Sequence, residues 1–580
     1  MAQFDTVIRG GRVVDGSGAP PRVADVAIRD GNIVEVGRVD GSAARIIDAD
    51  GLLVTPGWVD IHTHYDGQAS WDPELAQSLR HGVTTAVMGN CGVGFAPAVP
   101  ARRDWLIGLM EGVEDIPGDS LRAGMQWDWE SFPEYLDALD RTPRTFDLAA
   151  YLAHGALRAY VMGERGAANE PATADDLARM AALTTAAMQA GAVGLSSSRT
   201  AVHIAADGRP VPGTFAATAE LVALARAVKA SGHGLVEMVN AGIIGEDCDG
   251  LDADMTMMRE VADPAGVPVM FLLLQHNTDG SQWRRQLAAC EDAARAGARL
   301  VPQVAGRPIS ILFSFEGEHP WRFMPGYQAI ADLPFAQRYA ALADPAVRAR
   351  LLAEEDPNDT GFSLIYKNPT LWDYTYVAGD PIDYTPPDAL SVAAIARARG
   401  ESPWATAYDL LLENEGRAFL THFGVNYAER SPQALHAMLR HPLGVLGLSD
   451  AGAHVRFIVD AGVHTYMLTR WVRDTAPEDP LHMPLETVVR KLSAANAELF
   501  GFADRGRIAP GLRADINLIE LERLRAHLPR MRYDLPAGQP RLEQAVEGYA
   551  ATLVRGEPVH EHGTLTGARP GRVLRGGRRD

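Results

Sequence analysis

Two histidines at alternate positions carry the clearest chemical meaning, in the run Pro56-Gly57-Trp58-Val59-Asp60-Ile61-His62-Thr63-His64. In an extended strand, residues i and i+2 point to one face, so both imidazoles project from the same side with Asp60 one step behind them. Neutral imidazoles paired in this way are good ligands for Zn2+ or another divalent metal. A bare His-x-His also occurs by chance, but here it closes an apolar strand after Pro-Gly. A carboxylate stands in a comparable place late in the chain, where Val445-Leu446-Gly447-Leu448-Ser449-Asp450 ends an apolar run before Ala451-Gly452-Ala453. Such an aspartate is either a helix N-cap or a group aimed into an active-site mouth. Opposite a His-x-His strand the second role is favoured, because a carboxylate there can hold a metal and take the proton from the metal's water.

Those groups need a scaffold of parallel strands. Short apolar runs alternate with amphipathic stretches, and eight of the runs are strand candidates: 57–64, 83–91, 147–152, 192–196, 234–239, 267–275, 298–304 and 444–449. Helical pieces between them include 174–190 and 219–230. Eight parallel strands with helical crossovers predict an α/β fold, a (β/α)8 TIM barrel over about 57–505, whose active site sits at the C-terminal strand ends. Period-two segments bounded by Gly-rich turns mark both chain ends. They predict a small β-sandwich domain built from 1–56 and 506–566. The long gap at about 306–442, which carries Trp321, Trp372, Tyr374, Tyr376 and Trp404, is expected to be a lid, or else an embellishment with its own minor core. The Gly/Arg-rich stretch 567–580 is expected to be disordered.

Bulk properties remove several function classes. A formal charge of −20 disfavours phosphate backbones and anionic membranes, so neither nucleic acid nor a membrane is an expected partner. No apolar stretch reaches the roughly 18 to 20 residues of a membrane helix. The N-terminus lacks a basic region followed by an apolar one, and Cys91, Cys248 and Cys290 are too dispersed for a disulfide framework, so a cytoplasmic location is expected. No feature selects an oligomeric state, and a homo-oligomer is compatible with all of them.

The chain resembles the amidohydrolase superfamily, and within it the N-acyl-D-amino-acid deacylase (D-aminoacylase) family. The resemblance spans nearly the whole sequence and rests on an ordered set of motifs. These are Val7-Ile8-Arg9-Gly10-Gly11-Arg12-Val13-Val14-Asp15-Gly16, the His62-Thr63-His64 strand, Gly89-Asn90-Cys91-Gly92 and His154-Gly155-Ala156-Leu157-Arg158. They continue through Gly191-Ala192-Val193-Gly194-Leu195-Ser196-Ser197, Gln275-His276-Asn277, the Asp450 strand and Ala503-Asp504-Arg505-Gly506-Arg507-Ile508. The resemblance implies that His62, His64, Cys91 and His276 are metal ligands, that one or two zinc ions bind, and that Asp450 is the catalytic base.

The family's fifth strand ends in His, an apolar residue and Arg, and here the sequence departs from it. The run is Leu235-Val236-Glu237-Met238-Val239-Asn240, which leaves Glu237 as the one plausible ligand at that strand. With no arginine after it, a substrate carboxylate needs another partner. Arg199, Arg307 and Arg456 are the candidates, with Ser197 beside them, although arginines are more often structural. The three lysines, Lys229, Lys367 and Lys491, end no strand, which argues against a carboxylated lysine bridging two metals. The expected activity is hydrolysis of a small-molecule amide, with an N-acyl amino acid as leading substrate. Cyclic or aryl amides, deamination and a non-catalytic metal-binding barrel are the alternatives.

Overall fold

The computed structural model describes residues 2–358 and 361–577. All eight strand candidates contain strands, and all of these strands run parallel. Trp58–Asp60, Val83–Met88 and Asp147–Ala150 form one ladder. Leu152–Ala153, Gly194–Ser198, Leu235–Val239, Val269–Leu272, Leu300–Ala305 and Val445–Gly447 form a second. Only Tyr151, whose N–H donates to Met88 O at 2.9 Å, separates the two along the chain. The far ends also meet: Thr63 and Ala451 make a parallel bridge, and His64 N donates to Ala451 O at 2.8 Å. The strands are buried on both faces, which matches their continuous apolar runs.

The strands are shorter than their apolar runs. They stop at Asp60, Met88 and Gly447, so His62, His64, Cys91 and Asp450 lie just past their C-terminal ends. Helices Ala174–Ala190 and Thr218–Ala230 return the chain between strands. The first opens with a capping box of Thr173 and Asp176 and closes at Gly191, whose φ of 119° suits glycine alone.

The two terminal period-two segments join in a single nine-stranded sheet. They meet where Leu53–Pro56 runs antiparallel to Ile516–Ile519, and Ile8, Val26, Val54, Ile516 and Leu553 fill one of its faces. The inserted stretch carries an antiparallel sheet of Ile309–Phe313, Leu420–Val425 and Thr375–Val377. Its aromatic residues point into the insertion itself. Trp321 and Trp372 are 0% and 5% exposed, and Trp404 packs edge-on against both, at ring distances of 5.4 and 5.0 Å. The minor core is therefore real, because rings of this size gain more from mutual burial than from lining an open cleft.

The expectation of a disordered tail fails for residues 571–574. Gly571 N donates to Arg144 O, Leu148 N to Arg572 O, and Leu574 N to Leu148 O, and Val573 and Leu574 are buried. Residues 578–580 lie outside the described residues. Among the described residues, no helix is long and apolar enough to cross a membrane.

A buried ion-pair network fastens the terminal segments to the inner strands. Asp147 is fully buried, and its oxygens meet Arg505 Nη1 at 2.7 Å, Arg513 Nη2 at 3.0 Å and the backbone N–H of Arg572 at 2.9 Å. Arg513 also reaches Asp515 at 3.0 Å. Without the carboxylate, Arg505 keeps Asp504 and Arg513 keeps Asp515, but each buried guanidinium loses one charged partner. Asp147→Asn is therefore expected to lower unfolding stability by about 1–3 kcal/mol, measured by denaturant titration.

Candidate metal centre

Beyond Asp60 the backbone stays extended, and its hydrogen bonds fix the alternation. His62 N donates to Asp60 Oδ1 at 3.2 Å and Thr63 N to Val87 O at 3.0 Å. His62 and His64 thus share a face. Cys91 joins them from the next strand, held at a φ of 58°, a conformation that costs a non-glycine residue about 1–3 kcal/mol. Its neighbour Gly92 has to be glycine, since a Cβ there would lie 2.9 Å from Ser198 N. The Cys91 N–H donates to Glu237 Oε2 at 3.1 Å.

The donor atoms converge. Cys91 Sγ lies 3.4 Å from His62 Nε2 and 3.8 Å from His64 Nε2, and the three atoms lie within 4.8 Å of one another. Asp450 Oδ1 approaches the two histidine Nε2 atoms at 3.2 and 3.7 Å. Tetrahedral zinc with nitrogen and sulfur at about 2.0–2.3 Å requires donor separations of about 3.3–3.8 Å. On the far side of His62, Nδ1 meets Gln303 Oε1 at 2.9 Å. That oxygen can only accept, so the proton resides on Nδ1 and the Nε2 lone pair faces the group.

The electrostatics favour a cation. Asp60, Asp66, Glu114 and Glu237 are at most 3% exposed. The ion pairs they and Asp450 make are with histidines alone: His62, His64, His454 and His464. Among the described residues no lysine or arginine pairs with any of the five. Burial pushes Asp66 and Glu114 up to about 7 and Glu237 to about 8, with neighbouring carboxylates adding to the rise. Burial and the same carboxylates push the Cys91 thiol well up. Asp450 is the exception. Burial opposes its ionisation, but the hydrogen bond from His64 and the charges of His62 and His64 hold it at about 2. A divalent ion among His62, His64 and Cys91 fits this donor set and relieves the crowding of negative charge.

The remaining expected residues are placed as follows. Glu237 stands against the Cys91 backbone, outside the three-atom group, and its Oε1 has no partner. His276 is buried but also outside the group. Its backbone bridges Val425 of the insertion and its Nε2 faces Gln282 Nε2 at 3.4 Å. Ser197 Oγ bonds His154 Nδ1 at 2.9 Å. Arg199 pairs with Asp254 at 3.4 Å, Arg307 with Asp460 at 2.6 Å, and Arg456 binds Asp115 through both its Nε and an Nη. Each arginine thus has a carboxylate partner within the chain.

Several groups around the metal site escape a sequence reading. Asp66 extends the period-two series Asp60, His62, His64 by one more step, a signal the pattern does contain. Glu114, whose Oε1 lies 3.4 Å from His64 Nδ1, ends the helix Arg103–Glu114 with nothing local to mark it. Gln303, His203 and His454 are equally silent. His203 bonds Ser198 Oγ at 3.1 Å, and His454 Nε2 stands 3.7 Å from Glu114.

Converging histidines and a cysteine at the C-terminal ends of parallel strands, with an ionised aspartate beside them, define a metal-dependent hydrolase site. The chain belongs to the amidohydrolase family, which matches residues 45–560. It is similar to the D-aminoacylase of Alcaligenes xylosoxydans xylosoxydans, 27% identical over 580 residues that cover 98% of this chain and 97% of the relative. Its structure resembles that of N-acyl-D-glutamate deacylase from Bordetella bronchiseptica complexed with zinc and a phosphonate inhibitor. The TM-score is 0.62 at 25% identity, covering 99% of each chain. A D-aminoacylase structure described with a binuclear metal centre gives the same TM-score of 0.62 at 25% identity, covering 98% of this chain and 99% of the other.

Two predictions follow from the geometry. Gln303→Leu removes the group that orients His62 and should weaken zinc retention against a chelator by roughly 10–100-fold. The second concerns pH. The metal-free folded chain binds protons more tightly than the unfolded chain at Asp66, Glu114 and Glu237, and at His64, which burial opposes but Glu114 and Asp450 raise to about 9. The stability that these four groups contribute should therefore fall as pH rises from about 6.5 to about 8, since a raised folded pKa loses its contribution as pH approaches it. Buried histidines away from the group, whose lowered pKa acts in the opposite sense, are common to the metal-free and zinc-loaded chains, so the difference between the two is the readout. Zinc-loaded protein should lose much less, and thermal melts with and without chelator at both pH values check this.

Proposed function

We propose that the two parallel ladders, joined at Tyr151 and at the Thr63–Ala451 bridge, close into a (β/α)8 barrel flanked by a small β domain of the two chain ends. At its mouth the protein hydrolyses the amide bond of an N-acyl amino acid. The relatives named above support that substrate class, and the D configuration is theirs. The observation that carries the reading is Asp450 Oδ1, ionised and 3.2 Å from His62 Nε2, beside three converging donors.

His62, His64 and Cys91 would hold the zinc ion. When bound, the ion polarises the amide carbonyl and lowers the pKa of an attacking water towards about 7. Asp450 accepts that water's proton and returns it to the amine nitrogen as the C–N bond breaks, so the amine leaves neutral. Asp450 is suited to this because the two histidines hold it at about 2, while burial pushes Asp66, Glu114 and Glu237 up. The His62–Gln303 contact fixes the imidazole, and Glu237 anchors the strained Cys91 backbone. His276, outside the group, is the residue left for a second ion.

Asp450→Asn should reduce kcat by at least about 100-fold with the metal content unchanged. Full activity in that variant would overturn the role. Zinc per chain in wild type, Glu237→Ala and His276→Ala distinguishes the nuclearity. One ion in all three means a mononuclear site, and a fall from two to one in either variant makes that residue a ligand.

A further inference from the structure

The helix that follows the Asp450 turn, the insertion and the C-terminal segment enclose a cavity of about 590 Å3. Its wall includes Arg307, Tyr384, Tyr466, Arg470 and Gln544, and none of the residues of the metal group. Space of this size suits a small organic molecule.

Four buried hydrogen-bonding atoms on this wall have no partner: Arg307 Nε, Tyr466 Oη, Arg470 Nε and Gln544 Oε1. Orphaned polar atoms are rare in folded proteins, and four gather around this one cavity. Arg307 is 3% exposed, and its Nη2 is engaged by Asp460 Oδ1 at 2.6 Å and Val459 O at 2.9 Å. Its guanidinium lies 4.1 Å from the centre of the Tyr384 ring. Arg470 donates from Nη1 to Thr475 Oγ1 at 3.3 Å, and among the described residues no carboxylate pairs with it. Gln544 is oriented by its amide nitrogen, which donates to His527 O at 2.8 Å.

The other charges of the wall are compensated or exposed. Arg473 pairs with Asp474 at 2.7 Å, Arg523 with Glu520 at 3.1 Å, Arg525 with Asp380 at 3.4 Å, and Glu547 with His527 at 3.2 Å. Asp383 and Glu522 are exposed. Arg307 is neutralised by Asp460, so Arg470 is the one arginine of the wall with no carboxylate partner among the described residues. Arg470 lies in the π-helical turn Thr469–Arg473, a local widening of the helix that recurs at functional sites. Tyr384 and Tyr466 stand edge to face at 5.2 Å and offer an apolar contact.

We propose that this cavity binds a small organic monocarboxylate, at a site distinct from the metal centre. The carboxylate takes hydrogen bonds from Arg470 Nε and Arg307 Nε, the ligand's body packs on Tyr384 and Tyr466, and Gln544 Oε1 accepts from a hydroxyl or amide N–H when the ligand carries one. One unpaired arginine, on a wall that also carries Asp383, Glu522 and Glu547, favours a monoanion over a phosphate. The assignment does not depend on the deacylase activity. The cavity does share Gln544 with the cleft that holds Asp450.

Benzoate, with benzamide as its uncharged counterpart, tests the site by calorimetric titration of the zinc-loaded protein. Benzoate is expected to bind at least about tenfold more tightly than benzamide, since a charge-assisted pair contributes more than a neutral one. Arg470→Gln should weaken benzoate by about tenfold or more with zinc content and amide hydrolysis unchanged, and Tyr384→Ala should weaken both probes alike. Benzoate binding that is absent, equal to that of benzamide, unchanged in both variants, or lost when zinc is removed would overturn the proposal. Loss on zinc removal would place the benzoate at the metal group instead.

Discussion

Five carboxylates and a thiol crowd around two imidazoles at the ends of the parallel strands, and among the described residues no lysine or arginine pairs with them. In a low-dielectric interior that arrangement cannot hold its full negative charge without a counter-charge. Either protons or a metal must supply it, and the donor geometry admits a metal. Asp450 alone among the five is held low, at about 2, because His62 and His64 offset its burial. In the proposed reading Asp450 is the base and the adjoining pocket holds the ion, and each depends on the same two imidazoles.

The scaffold must hold that unfavourable cluster, and it does so with backbone rather than with side-chain pairing. His62 and His64 stay in register through N–H bonds to Asp60, Val87 and Ala451. Cys91 and Asp450 both occupy the left-handed region, with φ of 58° and 45°. Strain of this kind persists only where the surroundings over-determine it. Here the surroundings are buried strands on either side and the Asn90 amide, which donates to Thr63 O at 3.1 Å and Val87 O at 3.0 Å. Far from the mouth, the Asp147–Arg505–Arg513 network fastens the terminal segments to the inner strands, so the strand ends are supported from below.

The insertion has a different relation to the site. Trp321, Trp372 and Trp404 build its own core, and near the metal site it meets the strand ends where Asn426 and Gln275 exchange hydrogen bonds of 2.8 Å in both directions and His276 bridges Val425. His276 is thereby held by the insertion rather than drawn to the other donors. The departure from the family at Glu237 has a comparable effect: a carboxylate there faces the Cys91 N–H, where a histidine would offer a ligand nitrogen.

Much of this was legible in the sequence. Period two alone places His62 and His64 on one face, and apolar runs of five to nine residues separated by amphipathic stretches mark the parallel strands, because burial on both faces demands apolar residues throughout. The family motifs supply Cys91 and the role of Asp450. The partners of these residues lay beyond reach. Gln303 is 241 positions from His62, and Glu237 is 146 from Cys91. Arg199, Arg307 and Arg456 look alike as residues, yet each is taken by a different carboxylate. The tail's glycines and arginines suggest disorder until Leu148 is found to pair with it. What the sequence determined by itself is periodicity and local chemistry, both set by neighbours along the chain. What the tertiary structure decided is which donor faces which acceptor, because those contacts are made between strands, and no local pattern encodes a partner hundreds of residues away.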